Sequence, residues 1–147
     1  MGNGLSPLQP GETDTIILSG LGGDTIIYIL KNSPDVTNAA KQFIISPQSK
    51  VFFVRKYIHQ IDFKIINEIF LKEGKVYYNI INSLAGQEPP YTEKEYFLGK
   101  INMEKKEPVF VEYIKNKKNH LQSLLEKVKN EAAKVRLQKE MEMYEDM

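Results

Sequence analysis

Ser19-Gly20-Leu21-Gly22-Gly23 is the sharpest chemical signal in this 147-residue chain. Three glycines in five residues follow the apolar run Asp14 to Leu18. Glycine has no Cβ, so backbone there can approach a ligand closely, and open α/β sheets bind ligands at the carboxyl ends of their strands. A helix starting directly after the glycines would aim its N-terminus at the same place and favour an anion. The pattern is neither G-x-G-x-x-G nor a phosphate-binding P-loop, because the G-K-[ST] ending is missing. The same glycines also suit a tight turn with close helix–strand packing, and the residues alone leave both readings open. Ser46-Pro47-Gln48 holds the equivalent place after a second apolar run. Its amide could hydrogen-bond the edge of a base, or Pro47 could simply open a helix. Lys115, Lys117, Lys118 and His120 form the densest basic cluster. They could touch phosphates, although nearby glutamates dilute the field and a solvated helix face accounts for them too. Asp14 reads as a turn residue, Asp24 as a helix cap and His59 as structural.

Composition removes several classes of chemistry. With no cysteine there is no disulfide framework, thiolate metal site or cysteine nucleophile, and two separated histidines give no metal-ligand spacing. No serine–histidine–acid set or paired-carboxylate site can be assembled from the spacing. A net charge of +1 leaves partners open, since a nucleic-acid binder can carry a local basic patch on a neutral background. Hydrophobic and charged fractions of 41% and 27% are those of a globular protein. No apolar run nears the ~18 residues of a membrane span and no leader pattern is visible, so a soluble, cytoplasmic protein is expected.

The elements that must position these residues follow from periodicity. "MGNGLSPLQPGE" is rich in turn formers and reads as a loop. "DTIILSG" is a short apolar strand of the kind buried on both faces of a parallel sheet. Ile26, Ile27, Ile29 and Leu30 then recur at helical spacing, with Pro34 as the stop. "KQFIISPQ" repeats the plan, with a strand at Phe43 to Ile45 and a helix from about Ser49 to Gln60. Strand–loop–helix twice in succession predicts βαβ units. "DFKIINEIFLKEGKVYYNIINS" breaks the pattern and predicts an antiparallel hairpin turning at Lys72 to Lys75. After the linker-like "LAGQEPPYTEKE", the chain is charged, glycine-poor and helical. Ile114, Leu121, Val128 and Val135 fall seven apart, a coiled-coil-like stripe better explained by a helical hairpin packed on itself or on the body. The domain expectation is therefore residues 1–86 as a partial α/β domain and 87–147 as a helical appendage.

In order, "GNGL", "DTIILSGLGG", "FIISPQ", the hairpin, "YTEKEYFLG" and "EPVF" resemble one family over nearly the whole chain. It is the bacterial S-adenosylmethionine-dependent methyltransferases that modify N1 of adenine 22 in tRNA. Those enzymes carry "GDGL", "GMGG", a strand ending in "QPN", a hairpin, "YTEEE…FGP" and a C-terminal helical domain. Asn3 stands where the family has the aspartate of "GDGL", Leu21 replaces a methionine, and Ser46 and Gln48 alter the residues around Pro47. The family also has a segment ahead of "GDGL", with three strands and a "DIGSDHAYLP"-like cofactor loop, for which this sequence shows no counterpart.

The resemblance implies the second half of a class I methyltransferase sheet, whose order is 3-2-1-4-5-7-6. It implies S-adenosyl-L-methionine as cofactor and tRNA as partner. It places Gly20, Leu21, Gly22 and Gly23 where the methyl donor meets the target base, with Asn3, Gly4 and Ser19 near the cofactor. Pro47 and Gln48 fall on the target-base side, and Lys115, Lys117 and Lys118 on the RNA backbone. In such a half-sheet "DTIILSG" becomes an apolar edge, to be paired with another chain, covered by the N-terminal loop, or left open to self-association. Cofactor binding by this chain alone is then expected to be weak, and a non-catalytic RNA-binding or dimerisation module is the alternative.

Overall fold

A computed structural model describes residues 4–147. Asn3, one of the residues placed near the cofactor, lies outside the described residues. Four strands form one sheet in the order β1-β2-β4-β3: β1 Thr15–Leu21, β2 Gln42–Pro47, β3 Phe63–Glu73 and β4 Val76–Ala85. β1 and β2 run parallel, and β4 is antiparallel to both β2 and β3. With β1 set as strand 4, this is the 4-5-7-6 half of the class I order.

The crossover from β1 to β2 contains α1 (Gly23–Asn32) and α2 (Pro34–Ala39), and α3 (Val51–Gln60) joins β2 to β3. Pro34 opens α2 at its first turn as well as ending α1, because proline needs no amide partner there. α1 and α3 cover one face of the sheet. Ile26, Leu30, Val54 and Ile58 meet Ile16, Phe43, Ile45, Phe63, Ile65 and Ile81 in the main core. Phe43 of β2 and Phe63 of β3 lie tilted at 4.7 Å, meeting over the intervening β4.

The other face is not covered along its length. Ile17 is 66% exposed, and Ile66 and Ile69 are exposed as well. The expectation that "DTIILSG" is buried on both faces is corrected: alternation puts Ile16 inside and Ile17 in solvent. A polar ladder crosses this open face, Thr15 donating to Gln42 at 3.1 Å and Gln42 to Asn82 at 2.7 Å. β1 pairs with β2 alone, and its outer side is an edge among the described residues. The segment before it packs inward instead, with Leu5 buried in the core and Gly4 against Ile29.

The remaining chain forms α4 (Glu93–Leu98), α5 (Lys100–Lys105), α6 (Pro108–Lys127) and α7 (Glu131–Glu142). Thr92 starts α4 with a reciprocal capping box to Glu95. Phe110, Ile114, Leu121, Leu98 and Tyr144 make a second core, joined to β3 through Phe70. The seven-residue stripe does not run through one helix. Val128 lies where the chain leaves α6, α7 contributes no buried residue, and Val135 is 48% exposed. α6 and α7 pack as a helical hairpin, and Tyr144 just beyond α7 supplies the buried anchor.

A buried polar joint ties these helices to the sheet. Arg55, on α3, donates through Nε to Glu68 Oε1 at 2.9 Å and through Nη1 to the carbonyls of Tyr96 and Phe97. Asn79 also donates to Glu68, and Asn102 links Asn79 to the carbonyl of Leu98. Gly99 closes the joint at φ +92, where an added Cβ would lie 2.6 Å from Glu68 Oε2 and 2.8 Å from an Arg55 nitrogen. Only glycine fits, for both reasons.

Candidate functional site

Two loops converge at the carboxyl ends of the parallel strands. Gly23 N–H donates to the carbonyl of Ser49 at 3.0 Å, and Gln48 N–H to the carbonyl of Leu21 at 2.8 Å. The pair joins the glycine segment to the Ser46–Lys50 segment, as the residues on each were expected to share one end of the sheet. β1 extends through Leu21 and β2 through Pro47, so Ser46 and Pro47 belong to the strand rather than to a loop. Pro47 is buried, whereas Gln48 is exposed and available to a ligand.

The glycines divide their labour. β1 and β2 slip register between Ser19 and Leu21, leaving Gly20 as a bulge at φ +72. A Cβ on Gly20 would meet nothing within 4 Å, and Ser19 beside it is exposed. Gly22 would bring a Cβ to 3.1 Å from Ser49 Oγ. At Gly23 the methyl would sit 2.5 Å from the Ser49 carbonyl oxygen and 2.9 Å from that of Lys50. Gly23 is therefore glycine for packing, and Gly20 is glycine for a turn that faces open space. The packing reading thus applies to Gly23, and Gly20 is free of that constraint.

Lys50 adopts a left-handed conformation at φ 52 as the N-cap of α3, and its ammonium pairs with Asp24. Asp24 does not cap α1 as expected. Gly22 is the N-cap, and the Asp24 carboxylate reaches across to Lys50 from the first turn. Electrostatically the convergence is near neutral, with no unpaired carboxylate aimed at it. Such an arrangement presents backbone and an exposed amide that could orient a reactant, and it has little to offer as a strong base.

Gly4 lies on the far side of α1, against Ile29, lining a small cavity with Tyr28, Asn32 and Ser33. Lys115 and Lys118 line an apolar cavity of about 260 Å³ on α6 with Phe110, Val111 and Ile114. Lys117 faces another way, its ammonium over the Tyr113 ring at 5.6 Å. The structure thus splits the lysine cluster between two faces of α6. Among the described residues no three histidine or acidic side chains gather in a way that could hold a metal ion.

Sequence reasoning also passed over a part-buried titratable cluster. His59 bridges Glu88 through Nε2 at 2.7 Å and the Tyr96 hydroxyl through Nδ1 at 2.8 Å, and Glu88 also accepts from the Ile65 amide. Tyr91 packs edge-on against His59. Burial, with the Glu88 carboxylate adding to it, pushes the Tyr91 phenol above its ordinary range. The cluster pins the Pro-rich segment to the core, a structural duty for His59. The signal was available: "EPPY" offers an acid and an aromatic ring, and a long linker at a core edge must be tied down somewhere.

The comparisons decide the family. The family described as TrmK, tRNA (adenine(22)-N(1))-methyltransferase, matches residues 1–146. The chain belongs to this family. A Bacillus subtilis (strain 168) tRNA (adenine(22)-N(1))-methyltransferase is 25% identical over 136 residues, 89% of this chain and 57% of that protein. The chain therefore spans a little over half the length of that TrmK relative. A Streptococcus agalactiae protein of the NADB-Rossmann superfamily superposes with TM-score 0.90 at 28% identity, covering 99% of this chain and 65% of that one. Streptococcus pneumoniae Sp1610 in complex with S-adenosyl-L-methionine superposes at 0.86 with 22% identity, covering 99% and 65%. The half-Rossmann reading of the fold stands on these superpositions. Among the described residues Gly20 and Ser19 front open space on the edge strand β1.

Proposed function

We propose that this TrmK-family chain supplies the target-base side of methyl transfer from S-adenosyl-L-methionine to N1 of adenine in tRNA. The observation that carries the reading is the convergence at the parallel strand ends, with Gly20 free in a bulge beside exposed Gln48. Gly20, Leu21, Gly22 and Gly23 form the transfer loop, with Ser19 toward the cofactor and Gln48 toward the base, which Pro47 backs. The resemblance gives Asn3 and Gly4 to the cofactor side, although Gly4 packs against Ile29 on the far side of α1. Adenine N1 carries its own lone pair, so the chain must orient the base and exclude water rather than activate it. Residues 1–86 hold this site and residues 87–147 hold the RNA, with Lys115 and Lys118 on one face and Lys117 on another. The work is done in the cytoplasm, where tRNA is.

A second reading is favoured by one observation: the open edge at β1 leaves the cofactor side unenclosed. It takes the chain as a non-catalytic RNA-binding or dimerising module. Incubation with labelled S-adenosyl-L-methionine and unmodified tRNA separates the two. Label at adenine N1, lost in Gly20→Ala, supports methyl transfer. RNA binding without transfer, insensitive to changes at Gly22 but weakened when Lys115 and Lys118 are neutralised, supports the module. Calorimetric titration with the cofactor adds a direct check: weak or absent binding by the isolated chain is expected, and micromolar binding would refute the one-walled site.

A further inference from the structure

A groove of about 520 Å³ runs between the start of α3 and the helical appendage, lined by Lys50, Phe52, Phe53, Phe97, Tyr113 and Met143. We infer that it receives one nucleobase flanking the target adenine, stacked on Phe53. The inference rests on the proposed tRNA reading and assigns it a second contact.

Phe53 is 53% exposed on the first turn of α3. Burying such a ring is the ordinary outcome, and leaving it half in water forgoes stabilisation unless something covers it. Its neighbour Phe52 stands edge-on at 5.2 Å, while the Lys56 ammonium sits over Phe52 at 4.5 Å. Among the described residues Phe52 is the ring that packs against Phe53 and no cation sits over it, so the exposed side of the ring turned away from Phe52 is open to a ligand. The groove also touches the proposed transfer site. Phe53 N–H donates to the carbonyl of Lys50, and the Ser49 carbonyl next to it holds Gly23.

Charge narrows the occupant. Lys50 is paired with Asp24, and Glu93, the one carboxylate on the groove, is paired with Lys56. A near-neutral wall of rings and a thioether is a poor phosphate clamp and a good stacking surface. The chemistry of the target then supplies the base. N1 lies on the Watson–Crick edge of adenine, so it is reached only when that nucleotide leaves its helix or stack. Pulling one base out strips its neighbour of a stacking partner. An aromatic face a few residues from the transfer loop replaces that partner, and does so without reading sequence.

The chain contains no tryptophan, so Phe53→Trp introduces a single indole as reporter. Titration of the full chain with an unmodified tRNA transcript should quench its emission in step with binding followed by anisotropy of labelled tRNA. Phe53→Ala should weaken tRNA binding roughly 5- to 100-fold, and Phe53→Trp should retain it. If tRNA binds the wild type while the indole stays unquenched and Phe53→Ala binds as tightly, the stacking site is wrong and the tRNA reading survives. Failure of the wild type to bind tRNA removes both. Quenching that depends on protein concentration without RNA would make a second copy the occupant and overturn the inference.

Discussion

Gly20 and Gly23 make opposite predictions although they are two turns of the same motif. Gly23→Ala forces a methyl against two backbone carbonyls that cannot swing aside, and about 2–4 kcal/mol of stability should be lost, as for severe overpacking. Gly20→Ala meets open space and incurs only the left-handed backbone cost, about 1 kcal/mol. Denaturant melts should rank the two in that order, whereas methyl transfer should fall further in Gly20→Ala than its small stability loss explains. Tyr144 offers a titration test. Burial, reinforced by Tyr113, raises its phenol above the ordinary value near 10. Below that value both states are protonated and the stabilising contribution is full. Above it the unfolded chain ionises while the folded phenol does not, so stability declines as pH rises. Melting temperature measured from pH 9 to 11.5 should fall, and fall less steeply in Tyr144→Phe. The strand and glycine pattern was legible at this scale because apolar runs and glycines are local signals. Arg55 and Glu68 were not: each sits in an apolar stretch, and only their phase with buried Val54, Ile58 and Ile65 marks them as core charges.

Among elements, the joint of α3, β3, β4 and α4 decides whether the helical appendage has a fixed place. Arg55 is 2% exposed and Glu68 fully buried. Removing the guanidinium takes the ion partner from a core carboxylate and the Arg55 donor from the carbonyls of Tyr96 and Phe97. Arg55→Ala should cost about 3–5 kcal/mol, read as a shift in the denaturant midpoint. Arg55→Met with Glu68→Leu should recover only part of that. The pair would be gone, but the carbonyls of Tyr96 and Phe97 would still lack their Arg55 donor. The appendage itself was half legible. Helix content followed from charge and the scarcity of glycine, but the sevenfold stripe suggested a continuity that the break at Val128 ends. Periodicity cannot tell a helix that packs on a sheet from one that packs on a twin.

For the whole molecule, the consequential property is the one-sided sheet. Ile17 exposes apolar surface on the parallel strand β1, an edge among the described residues and so prone to strand addition, while Ile66 and Ile69 expose theirs on β3 at the opposite edge. We expect concentration-dependent association of the isolated chain in sedimentation velocity runs, relieved in Ile17→Lys without loss of melting temperature beyond a degree or two. A monomer at all concentrations would argue against pairing through β1. The sequence order of apolar runs foretold this edge through the resemblance; the composition of "DTIILSG" alone did not, since an alternating exposure is invisible in a run that is apolar throughout.

The placement of β4 between β2 and β3 has a consequence in time. The hairpin closes on itself from Glu73 and Val76 outward, a short-range event, and we expect the formed β4 to offer β2 its first partner. β1 must wait for β2, across the whole α1–α2 crossover, and then gains a single neighbour. Assembly is thus ordered from the hairpin toward the glycine loop. Read backward, the same order governs local opening, so amide hydrogens of Thr15–Leu21 should exchange well before those of β4. The strand that carries the transfer loop is the last to be built and the first to be released.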